Sequence, residues 1–259
     1  MKIEHDLHIH TYLSSCCVEK ELQTPKNIIS LAEKMGMKTI GFADHLWMNP
    51  SIPANDWYKP QDENQITRLK QNLSTIKTGV RVLVGCEADT MGPGKFSITK
   101  EFAKTLGYVL LSCSHIHLDN FDQPKSLAPR DMAEHLVKMF LSGVESGIPT
   151  AIAHPFALFG PLHGRSDGLI STLSDTELFD MFSVAKKNKV AIEINAAAVA
   201  LRSEPVRLIT NAKKAGCKFT FGSDAHGPAG QRALLNLEPF LNKTGITEDD
   251  ILPLAIGGK

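Results

Sequence analysis

The chain carries no net charge: 28 lysines and arginines are balanced by 28 aspartates and glutamates. Tracking along nucleic acid or docking on an anionic membrane calls for a basic stripe, so long nucleic acid and membrane surfaces are not expected partners. No apolar run approaches the roughly 18 residues of a membrane span. The first residues read as a polar strand, where a secretory leader would show a basic and then an apolar stretch. The cysteines are Cys16, Cys17, Cys86, Cys113 and Cys217, an odd number with no CxxC spacing. That pattern excludes a disulfide-framed secreted domain and points to a reduced, cytoplasmic protein. Low-complexity segments, linkers and breaks in composition are missing too, so one domain over residues 1–259 is expected.

What is present is an alternation of short β-rich runs with amphipathic helical stretches. Strands are predicted at residues 3–10, 39–43, 80–86, 108–114, 150–153, 190–195 and 218–222. Helices are predicted between them, at 25–35, 62–76, 129–146, 174–187 and 204–215, with a weaker one at 95–105. Thr24-Pro25 supplies an N-cap and a proline at the first helical position, and Ser174 with Glu177 forms a capping box. Residues 48–61 are polar, irregular and proline-containing, and read as a lid over a site. Seven β units with helical returns imply parallel strands and right-handed crossovers.

The chemistry starts at Asp6-Leu7-His8-Ile9-His10. Strand alternation puts Asp6, His8 and His10 on one face, with the imidazoles roughly 7 Å apart along the strand. Polar side chains then recur at nearly every predicted strand end: His45, Glu87, His115, His154, and Asp224 with His226. Seven of the ten histidines lie at or within four residues of those ends, where chance would put about a quarter. In a parallel barrel the ends share one rim, so distant residues can converge in one pocket. An open sheet would gather ligands at one switch point instead, so a closed or nearly closed barrel is the better expectation. Mixed imidazole and carboxylate donors suit Zn, Mn or Fe.

These motifs, in order, resemble the PHP (polymerase and histidinol phosphatase) superfamily of metal-dependent phosphoesterases. They are Asp6-Leu7-His8-Ile9-His10-Thr11, Ala43-Asp44-His45, Gly85-Cys86-Glu87-Ala88-Asp89, Ser114-His115-Ile116-His117, Ala153-His154-Pro155 and Gly222-Ser223-Asp224-Ala225-His226. The resemblance implies a distorted (β/α)7, TIM-like α/β barrel, a stand-alone member similar to histidinol phosphatases, and two to three divalent ions. It implies that His8, His10, Glu87 and Asp224 hold one ion, that Glu87 bridges to a second held by His115 and His154, and that His45 and His226 hold a third. Six residues after His10 the family pattern carries Asp or His, and this chain has Cys16. A thiolate there would be a softer ligand favouring Zn; the alternative is a small packing residue.

Four further residues complete the expected site. His117 shares a face with His115 and could replace it as ligand or donate a proton. Glu193, inside a strand, could orient a bound water or a ligating histidine, or serve as a buried ion-pair partner. Arg165 and Arg202 follow two strands and could hold a phosphate. Asp44 reads as a supporting group or helix cap, His5 as turned away from the site and His135 as surface. The expected activity is hydrolysis of a small phosphate ester by a metal-activated water, on a phosphomonoester such as histidinol phosphate or a nucleotide, or on a small phosphodiester. The alternatives are an amidohydrolase-type enzyme acting on C–N or C–O bonds and a non-catalytic metal-binding module. Amidohydrolases usually bridge their metals with a modified lysine, and no predicted strand ends in Lys.

Overall fold

Runs such as Thr39-Ile40-Gly41-Phe42 are too short for helices and rich in residues that suit a buried strand. In the computed structural model, which describes residues 1–118, 120–199 and 204–257, each expected run is a strand. The first half contains β1 (His5–Ile9), α1 (Pro25–Lys34), β2 (Thr39–Phe42), α2 (Glu63–Ser74), β3 (Arg81–Val84) and β4 (Cys86–Gly92). It continues with β5 (Lys95–Phe96), α3 (Lys100–Ala103), β6 (Val109–Ser112) and α4 (Pro129–Glu145). The second half contains β7 (Ala151–Ala153), α5 (Asp175–Lys187), β8 (Ala191–Asn195), α6 (Ala196–Val199) and α7 (Glu204–Lys214). It ends with β9 (Phe219–Gly222), α8 (Pro228–Ala233) and α9 (Glu238–Thr244).

Helix ends follow their side chains. Thr24 caps α1 by accepting from Asn27 N, with Pro25 in the first turn. Gly36 takes up the left-handed backbone after the helix, at φ +72°. Ser174 and Glu177 make the expected reciprocal cap on α5. Among the described residues, no helix is long and apolar enough to cross a membrane.

The strands form two sheets, β1-β2-β3 and β5-β4-β6-β7-β8-β9. All pairings are parallel except the hairpin of β4 with β5. Only Gly85 separates β3 from β4, so one stretch of chain passes from the first sheet into the second. Backbone bonds cross both seams. On one side Gly85 N donates to Phe42 O at 2.9 Å and Glu87 N to Asp44 O at 3.1 Å. On the other, Asp224 N donates to His8 O at 2.8 Å and His10 N to Ala225 O at 3.1 Å. The parallel strands therefore deliver their C-terminal ends to one side.

Three expectations change. The third strand does not stop before Glu87: residues 88–92 go on pairing, first with β6 and then with β5, so Glu87 lies inside β4. Residues 95–105 form a short strand and one helical turn rather than a continuous helix. Residues 48–61 are not simply a polar lid, because Tyr58 is 1% exposed and packs with Trp47, Met91 and Phe121 in a second small core.

The end opposite the rim is filled by Tyr108, whose buried hydroxyl donates to Leu7 O at 2.6 Å. Two glycines make room for that ring. A Cβ on Gly41 would overlap the hydroxyl, and one on Gly85 would lie 2.5 Å from a ring carbon. Gly41→Ala is expected to lower stability by about 1–3 kcal/mol, the usual cost of overpacking. Gly79→Ala, with open space around it, should change little. Urea denaturation of both variants measures the difference, and equal midpoints would show that the Tyr108 plug gives way.

Candidate metal centre

Strand alternation turns His8 and His10 to the same side, and their Nε2 atoms meet 3.2 Å apart. Two carboxylates close the set. Glu87 Oε2 lies 3.3 Å from His8 Nε2 and 3.4 Å from His10 Nε2. Asp224 Oδ1 lies 3.5 and 3.1 Å from the same two atoms. Four tetrahedral ligands at about 2.0–2.1 Å from an ion stand about 3.3 Å from one another. The observed spacings fit that requirement, and two neutral imidazole nitrogens facing each other gain little without a cation between them. The residues present therefore fit a divalent metal ion.

Glu87 divides its oxygens between neighbours. Oε2 faces His8, His10 and His45, the last at 3.3 Å from Nδ1. Oε1 faces His154 Nε2 at 2.8 Å and His115 Nε2 at 3.8 Å. His10, Cys16 and His226 form another cluster whose donor atoms lie within 4.8 Å of one another. The structure thus groups His45 with Glu87 and His115, apart from the cluster around Cys16.

The outer nitrogens of several rings are anchored, which fixes ring orientation. His8 Nδ1 meets Glu193 Oε1 at 2.7 Å, and His115 Nδ1 meets Asp89 Oδ1 at 2.6 Å. His154 Nδ1 meets Ser114 Oγ at 3.3 Å, and His226 Nδ1 meets the carbonyl of Asp224 at 2.8 Å. Glu193 also accepts from His154 N at 2.6 Å. His154 and Asp224 both hold positive φ, 26° and 55°, a conformation that costs a non-glycine residue about 1–3 kcal/mol and gathers at functional sites.

Burial opposes charge at His8, His115, Glu87 and Cys16, and at each of them neighbouring groups outweigh it. His8 is held well above the ordinary imidazole range because Glu193, Asp224 and Glu87 outweigh its desolvation. His115 is pushed up to about 9: Asp89 overcomes the cost of burial. Glu87 is held well below the usual carboxylate range, with His45 and His8 outweighing its burial. The Cys16 thiol is strongly lowered by a hydrogen bond from Cys17, against its burial and with His10 adding to the effect. A field that retains protons on imidazoles also attracts a divalent cation, which displaces them on binding.

These groups border a cavity of about 270 Å³ lined by Cys16, His45, Glu87, His115, His117, Asp224 and His226, with Trp57, Tyr58, Leu118 and Phe159 as the apolar wall. His117 is half-buried there, its Nδ1 without a partner. Burial, and then His115, lower its pKa. Arg165 is exposed at the end of a 3-10 helix over Gly160–Arg165 and is not among the cavity residues, a departure from its expected position. Its helix carries it outward, where its charge stays hydrated. Arg202 lies outside the described residues. His5 is turned away as expected, stacked on Phe221. Asp44 is a supporting group, accepting from Thr11 N and Oγ1 at 2.5 and 2.6 Å. His135 is only partly exposed, with a buried Nε2 that has no partner.

The roles of Asp89 and Ser114 were not expected. Asp89 could have been found, since it stands two residues after Glu87 and shares its strand face.

The family model described as "PHP domain" matches residues 6–197. The chain belongs to the PHP domain family. Among solved structures, the PHP chain is similar to the histidinol phosphate phosphatase of Lactococcus lactis subsp. lactis Il1403, determined with zinc, L-histidinol and phosphate. Their identity is 16%, 94% of each chain is covered, and the TM-score is 0.60. An uncharacterized protein matches at 12% identity and TM-score 0.51, over 99% of this chain and 74% of its own. A chain from the structures of the metal-dependent tyrosine phosphatases YwqE from Bacillus subtilis and CpsB from Streptococcus pneumoniae matches at 16% identity and TM-score 0.44, over 98% of this chain and 95% of its own. No curated protein matches the sequence.

Gly222 is where the PHP site leaves least space. A Cβ there would overlap Glu193 Oε1 and lie 2.6 Å from His8 Cβ. Gly222→Ala is expected to displace His8 and lower divalent-ion content, at a stability cost of about 1–3 kcal/mol. Elemental analysis and a urea melt test this together. Undiminished ion content would show that Glu193 and His8 can move apart without loss.

Proposed function

We propose that this PHP protein hydrolyses the phosphate ester of a small alcohol in the cavity beside Glu87. By family it is a metal-dependent phosphoesterase. The observation that carries the finer reading is the split of the Glu87 carboxylate, with Oε2 facing His8, His10 and His45 and Oε1 facing His154 and His115. A carboxylate shared in this way suits a bridge between two ions. In this reading His8, His10, Glu87 and Asp224 hold one ion, and Glu87, His115 and His154 hold a second. Cys16 and His226 hold a third beside His10 or His45, and the Cys16 sulfur favours Zn over Mn there. The two sheets are read as one distorted (β/α)7 barrel in a single domain of residues 1–259.

When bound, divalent ions supply Lewis acidity towards phosphoryl oxygens and lower the pKa of water. The chain's own residues do the rest. Glu193 and Asp89 hold His8 and His115 in fixed orientations. Trp57 and Phe159 stand edge-on to His45 and His115 in the cavity wall, and with Leu118 they receive the alcohol and exclude water. His117, with a free Nδ1 and a lowered pKa, is neutral near pH 7. It therefore has both an N–H and a lone pair with which to pass a proton towards the leaving oxygen. A cavity of about 270 Å³ suits a small monoester, such as histidinol phosphate or a mononucleotide, better than a polymer. The five cysteines are free, which suits the reducing cytoplasm included in this proposal.

Assays on p-nitrophenyl phosphate and bis-p-nitrophenyl phosphate, with metal analysis, test the reading. Two to three ions per chain, faster monoester turnover and complete loss on chelation are expected. Glu87→Gln should lose more than the about 10–100-fold typical of an outer partner, together with more than one ion, and His226→Ala should lose mainly one. Turnover indifferent to chelator would sink the proposal, and equal ion loss in the two variants would remove the bridge.

A further inference from the structure

Tyr58 sits in the irregular segment between β2 and α2, yet it is among the largest fully buried side chains. Its ring packs 4.7 Å from that of Trp47 and 4.6 Å from that of Trp57. Its hydroxyl donates to Asp89 Oδ2. The other oxygen of that carboxylate, Oδ1, meets His115 Nδ1 at 2.6 Å. His115 Nε2 then points towards Glu87 Oε1. A phenol can only donate to an ionised carboxylate, and an ionised carboxylate can only accept, so the proton between Asp89 and His115 belongs to Nδ1. The Nε2 lone pair is left for a cation.

We propose that Tyr58 is a positioning residue for His115, acting through Asp89. It holds the Asp89 carboxylate in the one rotation that offers Oδ1 to Nδ1, and so sets both the tautomer and the direction of the ring. The assignment rests on the reading of His115 as a metal ligand. The same short segment also reaches the Cys16 loop, since Gln61 Oε1 accepts from Ser14 Oγ at 3.1 Å and from Ser15 N at 3.0 Å. Trp57 stands edge-on to His45, with ring centroids 5.0 Å apart. Residues 57–61 therefore reach three parts of the site, and Tyr58 reaches His115 by hydrogen bonds through Asp89.

The ring is held by aromatic packing, so Tyr58→Phe removes the hydroxyl while keeping the shape. The full-length protein, loaded with zinc, is titrated with a chromophoric chelator and melted in parallel. In Tyr58→Phe, one zinc equivalent per chain should leave about 10–100-fold more readily, the usual effect of losing an outer partner, while the others keep wild-type affinity. Asp89→Asn should weaken the same equivalent, and the double variant should be no worse than Asp89→Asn alone. A wild-type release curve for Tyr58→Phe overturns the assignment. Parallel weakening of all equivalents with a fall in Tm overturns it too, by showing that the hydroxyl serves only stability. A wild-type protein that retains no zinc overturns the metal-centre reading and this assignment with it, whereas a loaded wild type beside an indifferent Tyr58→Phe overturns this assignment alone.

Discussion

A carboxylate with 1% of its surface exposed must be paired or neutralised, and Glu87 is paired with five imidazoles from four places in the chain. Its burial is costly in isolation, and removing its partners would leave an uncompensated charge in the interior. Much of the surrounding architecture serves that one group. β4 carries it at the crossing from one sheet to the other, just after Gly85 lets the strand change partners. His8 and His10 come from β1, His45 follows β2, His115 follows β6 and His154 follows β7. Asp224, after β9, faces His8 and His10 and is tied by its own N–H to the carbonyl of His8.

The set is held by a second layer of polar contacts that leaves few degrees of freedom. Glu193 fixes both the His8 ring and the backbone of His154, and Gly222 leaves the space in which that carboxylate lies. Asp6 Oδ1 accepts from His8 N at 3.2 Å and from Ser223 N at 3.0 Å, locking β1 to the turn that carries Asp224. Strained backbone at His154 and Asp224 is tolerated because these bonds over-determine it. Such a site is pre-organised for a cation, since little reorganisation remains to oppose binding.

The seven-unit rhythm and the convergence of polar strand ends were legible because strands and helices have different hydrophobic periods, and because a parallel arrangement puts all C-terminal ends together. Histidines at those ends stand out against an apolar strand. What was not legible depends on close packing across the chain. Tyr58 lies in a segment with no period, so nothing in its spacing announced a buried ring or a partner at Asp89. The extension of β4 past Glu87 was hidden because Ala88-Asp89-Thr90 mixes polar and small residues that only the neighbouring β6 and β5 hold extended. Arg165 was legible as a loop arginine but not in direction, since the 3-10 turn that carries it outward has no clear sequence signal.

The account stands on Glu87 joining two ions, and anomalous diffraction from zinc-grown crystals, collected above and below the zinc edge, addresses that point most directly. It predicts at least two zinc peaks, one within about 2.0–2.2 Å of Glu87 Oε2 and the other at a similar distance from Oε1. A further peak about 2.3 Å from Cys16 Sγ is expected if the thiolate is a ligand. A single zinc peak touching one Glu87 oxygen, or none at the carboxylate, would contradict it.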